Sequence, residues 1–176
     1  IVHPDCPNFF NETNGKYSAV RNNGSFEWVR RSMNGFSKLL FPGDITFNVW
    51  DYINCGFQIV NKDHKEFFEY VRNFYLENHR DVQNAIVNVK ASTDQTIINF
   101  LLRQQNIEIN YLPICYNLQD LASKQLLYIH PSLWWLTDEL IFKECGYVFH
   151  FNAIPKTEMG RDANYWIKRT YEELYK

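Results

Sequence analysis

Between Trp50 and Asn61 the residues alternate as a β-strand requires. Ile53, Cys55, Phe57 and Ile59 fall on one face, and Asn54 and Gln58 fall on the other with Gly56 between them. Successive side chains of a strand point to opposite sides, so this period of two predicts a sheet with one face buried. A glycine inside a strand weakens it unless something must come close to the backbone. Gly56 therefore marks either a bulge or crossing point in the sheet, or the approach of a ligand. In the second case Asn54, two residues earlier, offers a polar contact to a hydroxyl-rich molecule.

The period changes to that of a helix directly afterwards. From Asp63 to Asn78 the stripe Phe67, Val71, Phe74 and Tyr75 predicts an amphipathic helix, with Asp63 as its cap and Glu66 three residues on. His64 and His79 lie near its ends, where capping or exposure accounts for them. A second helix is expected from Ser92-Thr93-Asp94-Gln95, with Ser92 and Gln95 as a capping box and Ile97, Ile98, Leu101 and Leu102 as its buried face. A carboxylate at Asp94 complements the helix dipole, which is reason enough for it to be there.

Lys16 to Arg21 reads as a short strand, Phe26 to Leu40 as a short helix plus loop broken at Asn34-Gly35, and Ile107 to Leu112 as a strand. Trp134 to Cys145 reads as a helix stopped by Gly146, followed by a strand from Tyr147. In a C-terminal helix Ala163, Trp166, Ile167, Thr170, Tyr171 and Leu174 share one face. Alternating strands and helices predict an α/β chain with a mixed sheet flanked by helices, here taken as one domain over residues 1–176. Ile1-Val2 reads as the tail of a strand, so an upstream part is expected.

Formal net charge is only −2. That leaves no electrostatic footprint for nucleic acid, and no stretch is apolar enough to span a bilayer. Aromatic residues make up 17% of the chain, enough that some are available to stack on sugar or base rings. Cys6, Cys55, Cys115 and Cys145 are scattered, with no CxxC pair to suggest a zinc knuckle or a dithiol. Their apolar surroundings predict buried, reduced thiols. The sequons Asn11-Glu12-Thr13 and Asn23-Gly24-Ser25 do not decide the compartment in so asparagine-rich a chain, and localisation stays open.

In Tyr147-Val148-Phe149-His150-Phe151-Asn152-Ala153-Ile154-Pro155-Lys156, an apolar run delivers one histidine, and a turn six residues later delivers one lysine. An imidazole that ligates a metal and an ammonium aimed at the same place would suit a pyrophosphate. A structural histidine at a strand end is the commoner explanation of the first half.

Three further segments join this one. Tyr52-Ile53-Asn54-Cys55-Gly56 resembles the Asn-Ala-Gly strand of GT-A type nucleotide-sugar glycosyltransferases of the glycogenin and lipopolysaccharide galactosyltransferase kind. Thr93-Asp94-Gln95 resembles that family's Asp-Gln helix start, and Leu112-Pro113 through Tyr116-Asn117 resembles its Leu-Pro…Trp-Asn strand. His150 through Lys156 matches the spacing of its HxxGxxK element. The likeness covers roughly residues 45 to 157 and rests on the shared order of the segments. It implies a GT-A-like fold and a metal-dependent hexosyltransferase, retaining rather than inverting, that carries sugar from a nucleotide-diphosphate donor to a glycan, protein or lipid hydroxyl. His150 would be a ligand of Mn2+ or Mg2+. Lys156 would contact the diphosphate, Asn54, Gly56 and Asn152 would line the substrate site, and Asp94 and Gln95 would be the catalytic pair.

Two departures qualify it. The glycine of HxxGxxK is Ala153, and the family's Asp-x-Asp, which supplies two more metal ligands, occurs nowhere in the chain. The chain therefore reads as an acceptor-side part that lacks the nucleotide-binding half. A non-catalytic carbohydrate-binding or scaffold protein of the same ancestry is the alternative. An inverting enzyme would need a carboxylate base, with Asp94 the first candidate and Asp138 with Glu139, or Glu158 with Asp162, behind it. A two-carboxylate glycoside hydrolase ranks last, because no convincing pair sits on neighbouring strand ends.

Overall fold

The computed structural model describes residues 1–43, 46–90, 94–127, 140–155 and 161–176. They divide into two compact units: a sheet unit, residues 12–112, and a ladder unit, residues 1–11 with 113–176.

The sheet unit is built on a three-stranded mixed sheet. Its central strand β1 (Tyr17–Arg21) runs antiparallel to β2 (Ile53–Ile59) and parallel to β3 (Ile109–Leu112). Tyr17 to Val20 are all buried, as a strand covered on both faces must be. Strand β2 forms where the alternation predicts one, but it starts three residues later than Trp50 and its burial does not alternate: Ile53, Asn54 and Ile59 are buried and Gly56 is exposed. Asn48 Oδ1 accepts from Trp50 N at 3.0 Å and winds Val49–Asp51 into a 3-10 turn. Likewise β3 starts at Ile109 rather than Ile107, because Ile107 N still closes the preceding helix on Leu102 O at 2.9 Å.

Phe26–Leu40 is one continuous helix, α1, capped by Ser25, whose Oγ accepts from Trp28 N at 3.2 Å. The expected break at Asn34-Gly35 is absent. Gly35 serves packing instead, since a Cβ there would lie 2.5 Å from Val89 Cγ2. The following helix, α2 (Lys65–Glu77), is preceded by a 3-10 turn over Lys62–His64. That turn moves the cap upstream. Asn61 Oδ1 accepts from Asp63 N at 2.8 Å and His64 Nδ1 accepts from Asn61 N at 3.1 Å, so Asn61 and His64 do the work expected of Asp63 and Glu66.

Helix α3 (His79–Val89) was not expected from the sequence. Its inward stripe Val82, Ala85 and Val89 is small and diluted by polar residues, and no side chain caps its start. Helix α4 (Gln95–Gln104) buries Ile97, Ile98, Leu101 and Leu102 as its period requires. Ser92, offered as its cap, lies outside the described residues, and Asp94 caps it. Phe41 stacks between Phe74 at 5.3 Å and Phe100 at 4.6 Å, joining α2 to α4 over the sheet.

The ladder unit has little regular structure. Val2 bridges Val148 antiparallel and Leu118 bridges Phe149 parallel, which is all that remains of the strand expected from Tyr147. Gly146 is extended, and a Cβ there would lie 2.9 Å from Cys115 O, the carbonyl that accepts from Tyr147 N at 2.7 Å. Of the helix expected over Trp134–Cys145, residues 134–139 lie outside the described residues and Ile141–Cys145 form a 3-10 turn.

The ladder unit's core gathers Leu118, Leu121, Leu140, Phe142, Phe149 and Trp166. Helix α5 (Ala163–Tyr175), capped by Asp162, buries Trp166 and Thr170. Ile167 and Tyr171, expected on the same face, are 40% and 53% exposed. The inward line runs through 166, 170 and 174, and Ile167 and Tyr171 sit one step round the helix. All four cysteines are free, but against expectation none is fully buried: Cys6, Cys55 and Cys115 are half-buried and Cys145 is exposed. Burial pushes the thiols of Cys6, Cys55 and Cys115 up. The described residues thus form an α/β protein with a small mixed sheet and five α-helices, none long and apolar enough to cross a membrane.

Candidate functional site

The sequence candidates fall into two groups, one in each unit. In the sheet unit Asn54, Gly56, Asp94 and Gln95 meet where the N-terminus of α4 faces β2. The strand is irregular here: two steps along β1, from Ala19 to Arg21, correspond to five along β2, from Gln58 to Ile53. Gly56 lies in that irregular stretch, which is the bulge reading of the glycine. Asn54 is buried, with Oδ1 accepting from Gly56 N at 2.8 Å and Nδ2 donating to Asn22 Oδ1 at 3.2 Å. Its amide therefore secures the irregular backbone.

Strand β2 is an edge of the sheet, and its outer backbone groups need partners. Amide side chains of α4 supply them. Asn99 Oδ1 accepts from Ile53 N at 2.9 Å, Asn99 Nδ2 donates to Ile53 O at 3.0 Å, and Gln95 Oε1 accepts from Cys55 N at 3.1 Å. The Tyr52 hydroxyl pairs with Thr96 Oγ1 of the same helix at 2.7 Å. Asp94 is exposed and caps α4, its Oδ1 accepting from Gln95 N at 2.8 Å. Burial pushes the Tyr75 phenol and the Cys55 thiol up, and the charge of Asp94 adds to both shifts. What converges here is a carboxylate beside a phenol and a half-buried thiol, over a strand edge held by amides.

In the ladder unit His150 ends the parallel bridge. Leu118 N donates to Val148 O at 2.8 Å and His150 N donates to Leu118 O at 2.9 Å. The imidazole is half-buried, and its Nδ1 has no hydrogen-bond partner among the described residues. Burial holds it below the usual histidine range, while the negative charge of Asp120 works in the other direction. Asn152 faces the same aspartate, with Oδ1 accepting from Asp120 N at 2.8 Å and Nδ2 donating to Asp120 Oδ1 at 3.0 Å.

Ala153, at the glycine position of HxxGxxK, has φ +51°, the left-handed region that glycine enters most readily. Lys156 lies outside the described residues, as do Asp138, Glu139 and Glu158, while Asp162 is engaged as the cap of α5. The fit of a divalent cation can be judged from His150. One unpaired imidazole nitrogen, itself buried, supplies at most a single ligand of a set. Among the described residues no three His, Cys, Asp or Glu side chains come together to complete one.

Asn22, Asn99 and Asp120 escaped sequence reasoning. Asn99 did carry a signal: one amide inside the buried run Ile97 to Leu102 must find a partner. Asn22 and Asp120 sit in polar loops and carried none. Comparison of the chain with family models, with curated proteins and with solved structures finds no match.

Proposed function

We propose that the chain is the acceptor-side part of a metal-dependent nucleotide-sugar glycosyltransferase that moves a hexose onto a hydroxyl acceptor with retention. The observation that carries this reading is the segment His150 to Ala153. An imidazole with an unpaired nitrogen is followed three residues later by a left-handed backbone where the resembling family has glycine. The order of the Asn54-Gly56, Asp94-Gln95 and Leu112-Pro113 segments before it adds support.

A divalent cation, when bound, would neutralise the charge that develops on the diphosphate leaving group. His150 would supply one ligand to it, and the Lys156 ammonium would face the diphosphate. Asp94, exposed at the start of α4, would face the sugar. Gln95 already accepts from the β2 backbone, so its part is to hold Asp94 and the strand in register.

The chain, together with any upstream part, is to be incubated with Mn2+ and a panel of nucleotide-diphosphate sugars while released nucleoside diphosphate is measured. Release that needs Mn2+ and disappears in His150→Ala is the expected result. Turnover and metal dependence unchanged in His150→Ala would show that His150 has been given the wrong part. The engagement of Asp94 and Gln95 with the protein itself favours a second reading, a non-catalytic carbohydrate-binding protein of the same ancestry. Glycan binding unaltered by Mn2+, without nucleotide release, selects it.

A further inference from the structure

We infer that Asn152 is a positioning residue locked to Asp120, not a group that touches the donor, and that this lock fixes the turn presenting His150. The inference rests on the reading of His150 as a metal ligand. In a regular parallel ladder, the rung after His150 N to Leu118 O would run from Asp120 N to the carbonyl of residue 150. Here Asp120 N donates instead to Asn152 Oδ1 at 2.8 Å, and Asn152 Nδ2 returns a bond to Asp120 Oδ1 at 3.0 Å. A side chain replaces a backbone rung, so the ladder stops at the histidine.

The lock also spans two left-handed backbone positions, Asp120 at φ +54° and Ala153 at φ +51°. Alanine enters that region only when its surroundings hold it there, whereas aspartate visits it more readily, so the strain falls on Ala153. One bond at each amide atom of Asn152 goes to Asp120, so the protein itself sets the orientation of that amide. The neighbouring imidazole keeps an unpaired Nδ1.

The test uses the 15N-labelled 176-residue chain and the imidazole signals of its five histidines, with His150 assigned through His150→Gln. The wild type is expected to show one set of His150 ring signals. Asn152→Ala should split or exchange-broaden that set. Asp120→Asn should keep it single, because asparagine tolerates a positive φ and can still exchange both bonds. A single, unshifted set in Asn152→Ala overturns the inference.

Should Asn152→Ala fail to fold, Asp120→Ala against Asp120→Asn decides instead. Splitting in the alanine variant alone supports the lock, and identical spectra overturn it. Mn2+ added alone tests the underlying reading separately. It should broaden His150 before His79 in the wild type, and Asn152→Ala should need about tenfold more Mn2+, as for groups that orient a ligand. Equal broadening of His150 and His79 removes the metal reading, while the ring signals still decide the lock.

Discussion

Both units use an asparagine side chain in place of a strand rung, but the two asparagines sit in opposite surroundings. Asn99 in the sheet unit is fully buried and serves both backbone groups of Ile53. Asn152 in the ladder unit is half-buried and serves Asp120, beside a loop. A hydrogen bond contributes about 1 kcal/mol net, whereas a buried group left unpaired costs about 1–3 kcal/mol. The same device is therefore a structural necessity in one unit and a local adjustment in the other.

The sharpest test of that contrast is Asn99→Ala, which strands Ile53 N and O in the core and should lower unfolding free energy by about 3 kcal/mol. Chemical denaturation measures it. A loss below about 1 kcal/mol would mean that β2 finds other partners and would erase the difference between the units.

A matched pair of glycines comes next. Gly146→Ala drives a methyl to 2.9 Å from a main-chain carbonyl that cannot rotate away, and should cost about 2–3 kcal/mol. Gly35→Ala meets the Val89 side chain at 2.5 Å but gains about 1 kcal/mol of helix propensity, so the net loss should be about 1–2 kcal/mol. Adding Val89→Ala to Gly35→Ala should remove the clash part of that loss, which thermal melts of the three variants resolve.

Asn152→Ala should cost about 1 kcal/mol, since water replaces the lost partners of a half-buried amide. The smallest effect concerns pH. Burial holds His150 below its ordinary value of 6.5 in the folded chain, so the unfolded chain binds the proton more readily in the window below 6.5. Stability linked to His150 is then complete above 6.5 and is lost as pH falls through the folded value. His150→Gln should flatten that part of the stability–pH curve, by less than about 1 kcal/mol.

How much of this was legible depended on the unit. In the sheet unit the periods of β2, α2 and α4 are long enough to show the element, and in the two helices its inward face. Phe67, Val71, Ile97 and Leu101 are buried where the period puts them. The failures there have local causes. The break read at Gly35 was a close helix contact, and α3 hid behind a stripe of small residues. In the ladder unit the C-terminal helix α5 was legible from its period, but the other elements are single bridges and 3-10 turns, too short to carry one, and the pairings at Val148 and Phe149 join residues far apart in the chain.

Among the site candidates, residue types and order were visible, but their employment was not. Asp94 reads first as a helix cap and becomes a catalytic carboxylate only through the resemblance, and nothing in the chain order reveals that Gln95 Oε1 meets Cys55 N forty residues away. The sequence by itself determined the α/β class, the strand at β2, the helices α2 and α4, and the histidine that closes an apolar run. Only the tertiary structure decided that Asn54, Gln95, Asn99 and Asn152 bond to the protein's own backbone, and that Ala153 adopts a glycine-like conformation. Apolar periodicity is a local property of the chain, whereas the partner of a buried amide is set by whichever distant backbone group packing leaves unpaired.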